Sequence, residues 1–279
     1  MSAPLTIRPG LPADLPAVKS LCDGTFDWGD YVPEVWKYWL DDPGGDLLVA
    51  CLGEELVGLT HVVCVDKGEA WLEGMRVHRD QRRAGVASVL TQASLEAARA
   101  RGCRVARLSI DLRNLPSQGL AAKFGFMPAC TNDIWAWDGT AADLAALAVP
   151  EGRARQATAA DLPALAGLYP SAPLRLVHWK GRRLSRQVLR RIRSTLRVWE
   201  QGGAPVAALS RDHWDRSLDM CLPCGDPAAI SGLLRSVMSE ALTEGMTEIS
   251  IAAITGWVPP AWQPAWRCSF RQIIFERPL

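Results

Sequence analysis

The stretch Val77–Leu90, VHRDQRRAGVASVL, joins the end of an apolar run to the start of a helical pattern through a short basic loop. Arg82, Arg83, Ala84, Gly85, Val86 and Ala87 form the turn, and Val86, Val89, Leu90, Ala93 and Ala97 then recur at helical spacing. A strand that feeds a helix through small residues leaves backbone N–H groups unpaired at the positive end of the helix dipole. Such a place favours phosphate. Gly85 and Ala87 are small where a pyrophosphate needs close backbone approach, and Arg82 and Arg83 add fixed positive charge. The alternative is an ordinary strand-to-helix turn with solvated arginines.

Just upstream, Trp71-Leu-Glu-Gly-Met-Arg-Val77 places one carboxyl group, Glu73, in an otherwise apolar strand. A carboxyl in that setting is near a cleft or badly placed, and burial would raise its pKa toward the range useful for proton transfer. The competing reading is a carboxylate paired with Arg76 or another surface arginine. Downstream stand Asn114, Ser117 and Leu120, then Lys123-Phe124-Gly125-Phe126.

The loop, written Arg82-Arg83-Ala84-Gly85-Val86-Ala87, resembles the acetyl-CoA loop of the GNAT superfamily of N-acetyltransferases, whose pattern is Arg/Gln-x-x-Gly-x-Gly/Ala. The Asn114–Phe126 set resembles that family's second signature, at the expected distance. Together they cover the first half of the chain. The resemblance implies an α/β (α+β mixed sheet) acyl-CoA N-acyltransferase fold and acetyl-CoA as cosubstrate. It implies acetyl transfer to an amine by direct attack in a ternary complex. It further implies that Arg82 to Ala87, with Ser88, hold the pyrophosphate. Backbone N–H groups of Met75, Arg76 and Val77 would hold the pantetheine arm and polarise the carbonyl. Asn114 would bond that arm or a catalytic water, with Ser117 and Lys123 in the same cofactor-binding set. Glu73 is the candidate general base, directly or through a water. In one departure, Ala121 stands where the family often has a tyrosine as general acid, so the acid role is unassigned.

Asp30-Tyr31-Val32-Pro33, the Trp71–Val77 segment and a two-domain plan also resemble a narrower group, the vertebrate histidine N-acetyltransferases and their relatives. That implies the α-amine of a free amino acid as acceptor, and a carboxylate clamp from an arginine. Asp30 and Tyr31, polar tips on a loop, are the candidate substrate contacts. The surrounding rings Phe26, Trp28, Trp36, Tyr38 and Trp39 are expected to be mostly core.

The elements that must position these groups follow in order. Leu5–Arg8 reads as a strand, and Pro12-Ala13-Asp14-Leu15 opens a helix continued by Val18 and Leu21. Leu47–Cys51, Leu56–Val65 and Ala70–Val77 read as an antiparallel meander with turns at Gly53-Glu54 and Lys67-Gly68. The helix from Val86 ends at Gly102, and Ala106, Leu108, Ile110 and Leu112 alternate as a strand parallel to the one before it. Gln118–Lys123 is a short helix and Phe126–Trp137 a further strand or hairpin.

Pro150-Glu151-Gly152 marks the expected boundary between a domain of residues 1–149 and one of residues 150–279. The second half repeats the first: Arg155–Leu165, RQATAADLPAL, parallels Arg8–Val18, RPGLPADLPAV, 147 residues further on. Where the glycine loop should recur there is Cys224-Gly225-Asp226-Pro227-Ala228-Ala229, without arginine and with an aspartate that would repel phosphate. This predicts a tandem duplication with a degenerate C-terminal copy that completes or covers the first. Lys180–Arg197 carries eight basic residues, with Leu184, Val188, Ile192, Leu196 and Trp199 at helical spacing, and predicts an amphipathic helix with a solvated basic face.

Composition sets the remaining bounds. The chain has 279 residues and a net charge of +1, which points to neither nucleic acid nor membrane as partner. Met1–Leu15 has no long apolar core, so no signal peptide is expected, and no run approaches a membrane span. The eight cysteines fall mostly in apolar runs, as expected of buried thiols in a reducing cytoplasm. Cys221-Leu-Pro-Cys224 is a lone pair without a second, and no metal is expected. Three functions stay open: acetylation of a small-molecule primary amine, a CoA-binding sensor or scaffold with little turnover, and acetylation of protein lysines. Oligomeric state is undetermined by these residues.

Overall fold

The computed structural model describes residues 3–26, 29–146, 149–169, 174–214, 216–257 and 265–279. Trp28 lies outside them. The chain divides into two compact units. The first comprises Met1–Ser109, Asn114–Met127 and Phe275–Leu279, and the second Ile110–Arg113 and Pro128–Ile274.

The first unit opens with β1 (Leu5–Pro9), α1 (Leu15–Cys22) and α2 (Val32–Leu40), followed by β2 (Gly45–Leu52), β3 (Glu55–Asp66) and β4 (Glu69–Val77). Then come α3 (Val86–Ala100), β5 (Val105–Asp111) and α4 (Leu115–Lys123). Strands run in the order β1-β2-β3-β4-β5, antiparallel up to β4 and parallel between β4 and β5. The crossover is α3, as a parallel pair requires. The alternation of side chains divides the core in two. Leu47, Val49 and Leu59 face α1 and α2, where they meet Val18, Leu21, Trp36 and Trp39. Ala50 and Val57 face the other way, toward Val86 and Leu90 of α3, with Met75 and Val77 alongside.

The C-terminal residues belong to this unit. Leu279 N–H donates to the Arg104 carbonyl at 2.8 Å. The buried Arg107 guanidinium is held by Glu69 at 2.7 Å and by Glu276 at 2.6 Å. A buried arginine is tolerated because two carboxylates neutralise and satisfy it.

The chain continues with β6 (Met127–Trp137), α5 (Ala141–Ala145), β7 (Arg153–Gln156), α6 (Leu162–Leu168) and the hairpin β8 (Leu174–Val177) and β9 (Lys180–Arg183). After α7 (Arg186–Arg191) come β10 (Leu196–Gln201), β11 (Ala204–Trp214), β12 (Ser217–Gly225), α8 (Pro227–Thr243), β13 (Glu248–Ile254) and β14 (Trp266–Pro278). Within the second unit β6 pairs with β13, so the expected boundary near residue 150 falls inside that unit. β12 and β13 are parallel across α8, which repeats the β4–α3–β5 arrangement. Leu233, Leu234, Val237 and Met238 of α8 pack on Leu209, Leu218, Met220 and Ile251. The sequence repeat is also a repeat of contacts: Arg8 grips Asp14 at 2.7 Å through both terminal nitrogens, and Arg155 grips Asp161 at 2.7 and 2.8 Å.

The predicted basic helix over Lys180–Arg197 does not form. That stretch is a strand, the single short helix α7 capped by Ser185, and the start of β10. Its apolar stripe is nevertheless buried: Leu184, Val188, Ile192, Leu196 and Trp199 are all in the core. A four-residue spacing of apolar groups satisfied the turn-and-strand path as well as it would have satisfied a helix. Among the described residues no helix is long and apolar enough to cross a membrane.

Candidate active site

β4 carries the site, and a bulge aims it. The β3–β4 register moves from Leu59 opposite Arg76 to His61 opposite Glu73, which leaves one extra residue on β4. Gly74 lies in this bulge at φ 67°, and a Cβ there would meet the Trp39 ring at 2.3 Å. Glycine is therefore required both by the backbone and by the indole above it. The bulge places Glu73 opposite His61, on the sheet face that carries α1 and α2.

Both carboxylate oxygens of Glu73 are held. His61 Nδ1 lies 3.0 Å from Oε1, and Trp71 Nε1–H donates to Oε2 at 3.1 Å. His61 is fully buried and stacks on Trp39, ring centroids 4.6 Å apart at 12°. Among the described residues its Nε2 is buried without a hydrogen-bond partner, against Gly45. The hydrogen bonding therefore assigns the proton to Nδ1, where it is donated to Glu73.

The connection between α1 and α2 forms the opposite wall. Asp30 receives Arg76 through Nε at 2.6 Å and Nη2 at 2.9 Å, and also accepts Val32 N–H at 3.0 Å at the start of α2. Burial works to raise the Asp30 pKa, but the Arg76 and Val32 hydrogen bonds outweigh it and hold the carboxyl below its usual range. The Arg76 guanidinium lies over the rings of Phe26 and Tyr31, at 5.2 and 5.5 Å, and Tyr31 meets Trp39 edge-on at 6.1 Å. Burial, with Glu73 nearby, pushes the Tyr31 phenol up to about 12. The Arg76 side chain is thus committed to Asp30 within an aromatic wall. That accounts for three of the candidate residues as neighbours, and it leaves no unpaired cation at Arg76 for a substrate carboxylate.

Below this wall the sheet opens. β4 pairs with β5 only over Glu69–Trp71, so among the described residues the Leu72–Val77 edge on that side, including Met75, Arg76 and Val77, has no ladder partner. The chain then turns through Arg82, Arg83 at φ 67°, Ala84 and Gly85 at φ 89°. Gly85 caps α3 without any side-chain hydrogen bond. The first helical bond runs from Val89 N–H to the Gly85 carbonyl at 3.1 Å, so the N–H groups of Val86, Ala87 and Ser88 precede the ladder. No atom lies within 4 Å of where a Gly85 Cβ would be. Lys123 Nζ reaches Ser88 Oγ at 3.3 Å, which joins the second signature to this turn. Three N–H groups without a partner among the described residues, open space and an adjacent ammonium fit a pyrophosphate.

Asn114 caps α4 by accepting Ser117 N–H at 3.2 Å. Ala121 is buried, so no acid group can come from that position. His61, Trp39 and Trp71 escaped sequence reasoning. The available signal was a histidine two residues after Leu59 in an otherwise apolar strand.

The second unit lacks these groups at matching ladder positions. There the register moves from Ala208 opposite Cys224 to Ser210 opposite Cys221, with Leu222 at φ 60°. Cys221 stands where β4 has Glu73, Leu222 where it has Gly74, and Ser210 where β3 has His61. The N-terminus of α8 is closed by its own Asp226, which accepts Ala229 N–H at 2.9 Å, and by Pro227, which has no N–H.

A mixed sheet whose parallel pair opens beside a glycine-led helix N-terminus is the acyl-CoA N-acyltransferase fold. Residues 16–126 match the Acetyltransferase (GNAT) family. A human protein named "Probable N-acetyltransferase 16" is 31% identical over 137 residues, 47% of this chain. The match spans 37% of the length of that curated relative. Two solved structures share the fold over 99% of the chain. One is a GCN5-related N-acetyltransferase from Sphaerobacter thermophilus, with TM-score 0.75, 16% identity and 96% of its own chain covered. The other is a tandem GNAT protein from the clavulanic acid biosynthesis pathway, with TM-score 0.65, 14% identity and 98% covered.

Proposed function

We propose that the protein is an acetyl-CoA-dependent N-acetyltransferase whose acceptor is a primary amine of a small molecule. The observation that carries this is Glu73, fixed by His61 and Trp71 at a bulge beside the unpaired β4 edge and opposite the aromatic wall. Acetyl-CoA, when bound, supplies the acyl carbonyl that the amine attacks. The N–H groups of Val86, Ala87 and Ser88, with Lys123, Arg82 and Arg83, hold its pyrophosphate. The open edge at Met75–Val77 supplies N–H donors for its arm and for the carbonyl. Glu73 takes a proton from the acceptor ammonium, so that the neutral amine attacks the acyl carbon; the thioester C–S bond breaks and CoA leaves as its thiolate. Phe26, Tyr31 and Trp39 exclude water and bind the apolar part of the acceptor.

The neutralised Arg76 favours an amine with an apolar body over a free amino acid, whose carboxylate would need another cation. A lysine side chain on a protein is a second acceptor type, separated in the test below. CoA thiol release from acetyl-CoA is measured with arylalkylamines, free amino acids, polyamines and a lysine peptide. Release stimulated by small amines supports the proposal. Acetyl-CoA binding without stimulation by any acceptor would instead make the protein a sensor or scaffold.

A further inference from the structure

The second unit keeps the opening of its sheet but not the groups that would serve acetyl-CoA. β12 and β13 stay paired as far as Cys221 opposite Ala252, and beyond that point a cavity of about 420 Å³ lies between the strand ends and α8. That volume is in the range of small-molecule sites, about 300–1,000 Å³. Its lining is mostly apolar, with Leu222, Ile230 and Trp257 among the largest groups. Tyr169 also lines it, but its hydroxyl is already committed, donating to the Leu222 carbonyl at 2.7 Å.

The exception is Arg175. Arg175 lines the cavity, and among the described residues its guanidinium donates to the neighbouring Leu174 carbonyl, at 3.0 Å. Among the described residues it pairs with no carboxylate, whereas Arg155, Arg211 and Arg271 of the same unit pair with Asp161, Glu240 and Asp133. Burial loosens its proton, yet a guanidinium stays charged near neutrality. A partly desolvated cation facing an apolar cavity is costly until an anion joins it. Phosphate is the wrong anion here, because Asp226 and Pro227 close the helix N-terminus with negative charge and a missing donor. A single planar fork suits a carboxylate.

We propose that this cavity binds a small monocarboxylate with an apolar body, the carboxylate on Arg175 and the body against Leu222, Ile230 and Trp257. The site is separate from the acetyl-transfer site and does not depend on it. The test is calorimetric titration of the full chain with 3-phenylpropionate and with its neutral amide, for the wild type and for R175M. The acid is expected to bind once per chain and about tenfold tighter than the amide, the worth of a charged hydrogen-bonded pair. R175M is expected to erase that difference while acetyl-CoA binding is unchanged. Should R175M fail to fold, R175K replaces it. It keeps the charge but loses the fork, and is expected to weaken the acid more than the amide. Absence of binding, equal affinity for acid and amide, discrimination that survives both variants, or displacement of the acid by acetyl-CoA would each overturn the proposal.

Discussion

His61 Nδ1 lies 3.0 Å from Glu73 Oε1, and the imidazole that makes this contact is clamped flat against Trp39. The pair spans two strands and sits at the one register shift that turns Glu73 toward the aromatic wall. It gives the carboxylate a fixed direction.

Replacing Glu73 by glutamine keeps the shape and removes the base. Turnover by E73Q is expected to fall about 10²–10⁴-fold, with acetyl-CoA affinity unchanged. Steady-state kinetics and a binding titration measure the two quantities separately. A loss of less than a few-fold would reassign Glu73 to a structural role.

With Glu73 as the proposed base, His61 would act through it rather than on substrate, so its effect should be smaller and confined to kcat. H61F preserves a ring on Trp39 but deletes the donor. The expected loss is about tenfold in kcat, equivalent to one hydrogen bond to a charged group, with KM for acetyl-CoA unmoved. An equal rise in KM and no change in kcat would show that His61 merely shapes the pocket.

At the cofactor turn, G85E puts a side chain and a negative charge into the open space above three unpaired N–H groups, at a backbone φ of 89°. Acetyl-CoA binding should be abolished while the α3 core, built on Val86 and Leu90, keeps the protein folded. Unchanged affinity in a calorimetric titration would exclude this turn as the pyrophosphate cradle.

The Arg155–Asp161 grip should make stability depend on pH. Arg155 holds the Asp161 carboxyl well below the usual carboxylate range. A folded-state pKa below the unfolded one adds stability above the unfolded value of about 3.9, and that stability disappears as pH falls through the folded value. D161N is therefore expected to cost about 2 kcal/mol at neutral pH, and the gap from wild type should narrow steadily below about pH 4. Urea unfolding at several pH values would show it. A gap that stays constant would mean that Asp161 stabilises only as a helix-start hydrogen-bond acceptor for Thr158.

Much of this was legible along the chain, because the groups involved are near one another in sequence. Strands β2, β3 and β4 lie within two residues of the alternation and turn signals that predict them. α3 begins at Val86, where a left-handed glycine meets an apolar repeat. The Arg–Asp grip is six residues long in both halves, so the repeat carries its own contact. The degenerate second copy is equally local: Asp226-Pro227 caps a helix and cannot cradle phosphate.

Contacts between distant strands were another matter. Apolar spacing at Lys180–Arg197 specified which side chains are buried but not the path of the backbone, since a strand, the short helix α7 and the start of β10 bury the same five groups. The partners of Arg107 are Glu69 and Glu276, the second of them 169 positions away. Glu73 was conspicuous as a lone carboxyl in an apolar strand, whereas its partner His61 was not, because only the bulge at Gly74 brings them face to face. Local propensity and capping chemistry determined the glycine turn before α3. The orientation of the base, and the neutralisation of Arg76 by Asp30 across 46 residues, were decided by strand register and loop packing, which exist only once the sheet has formed.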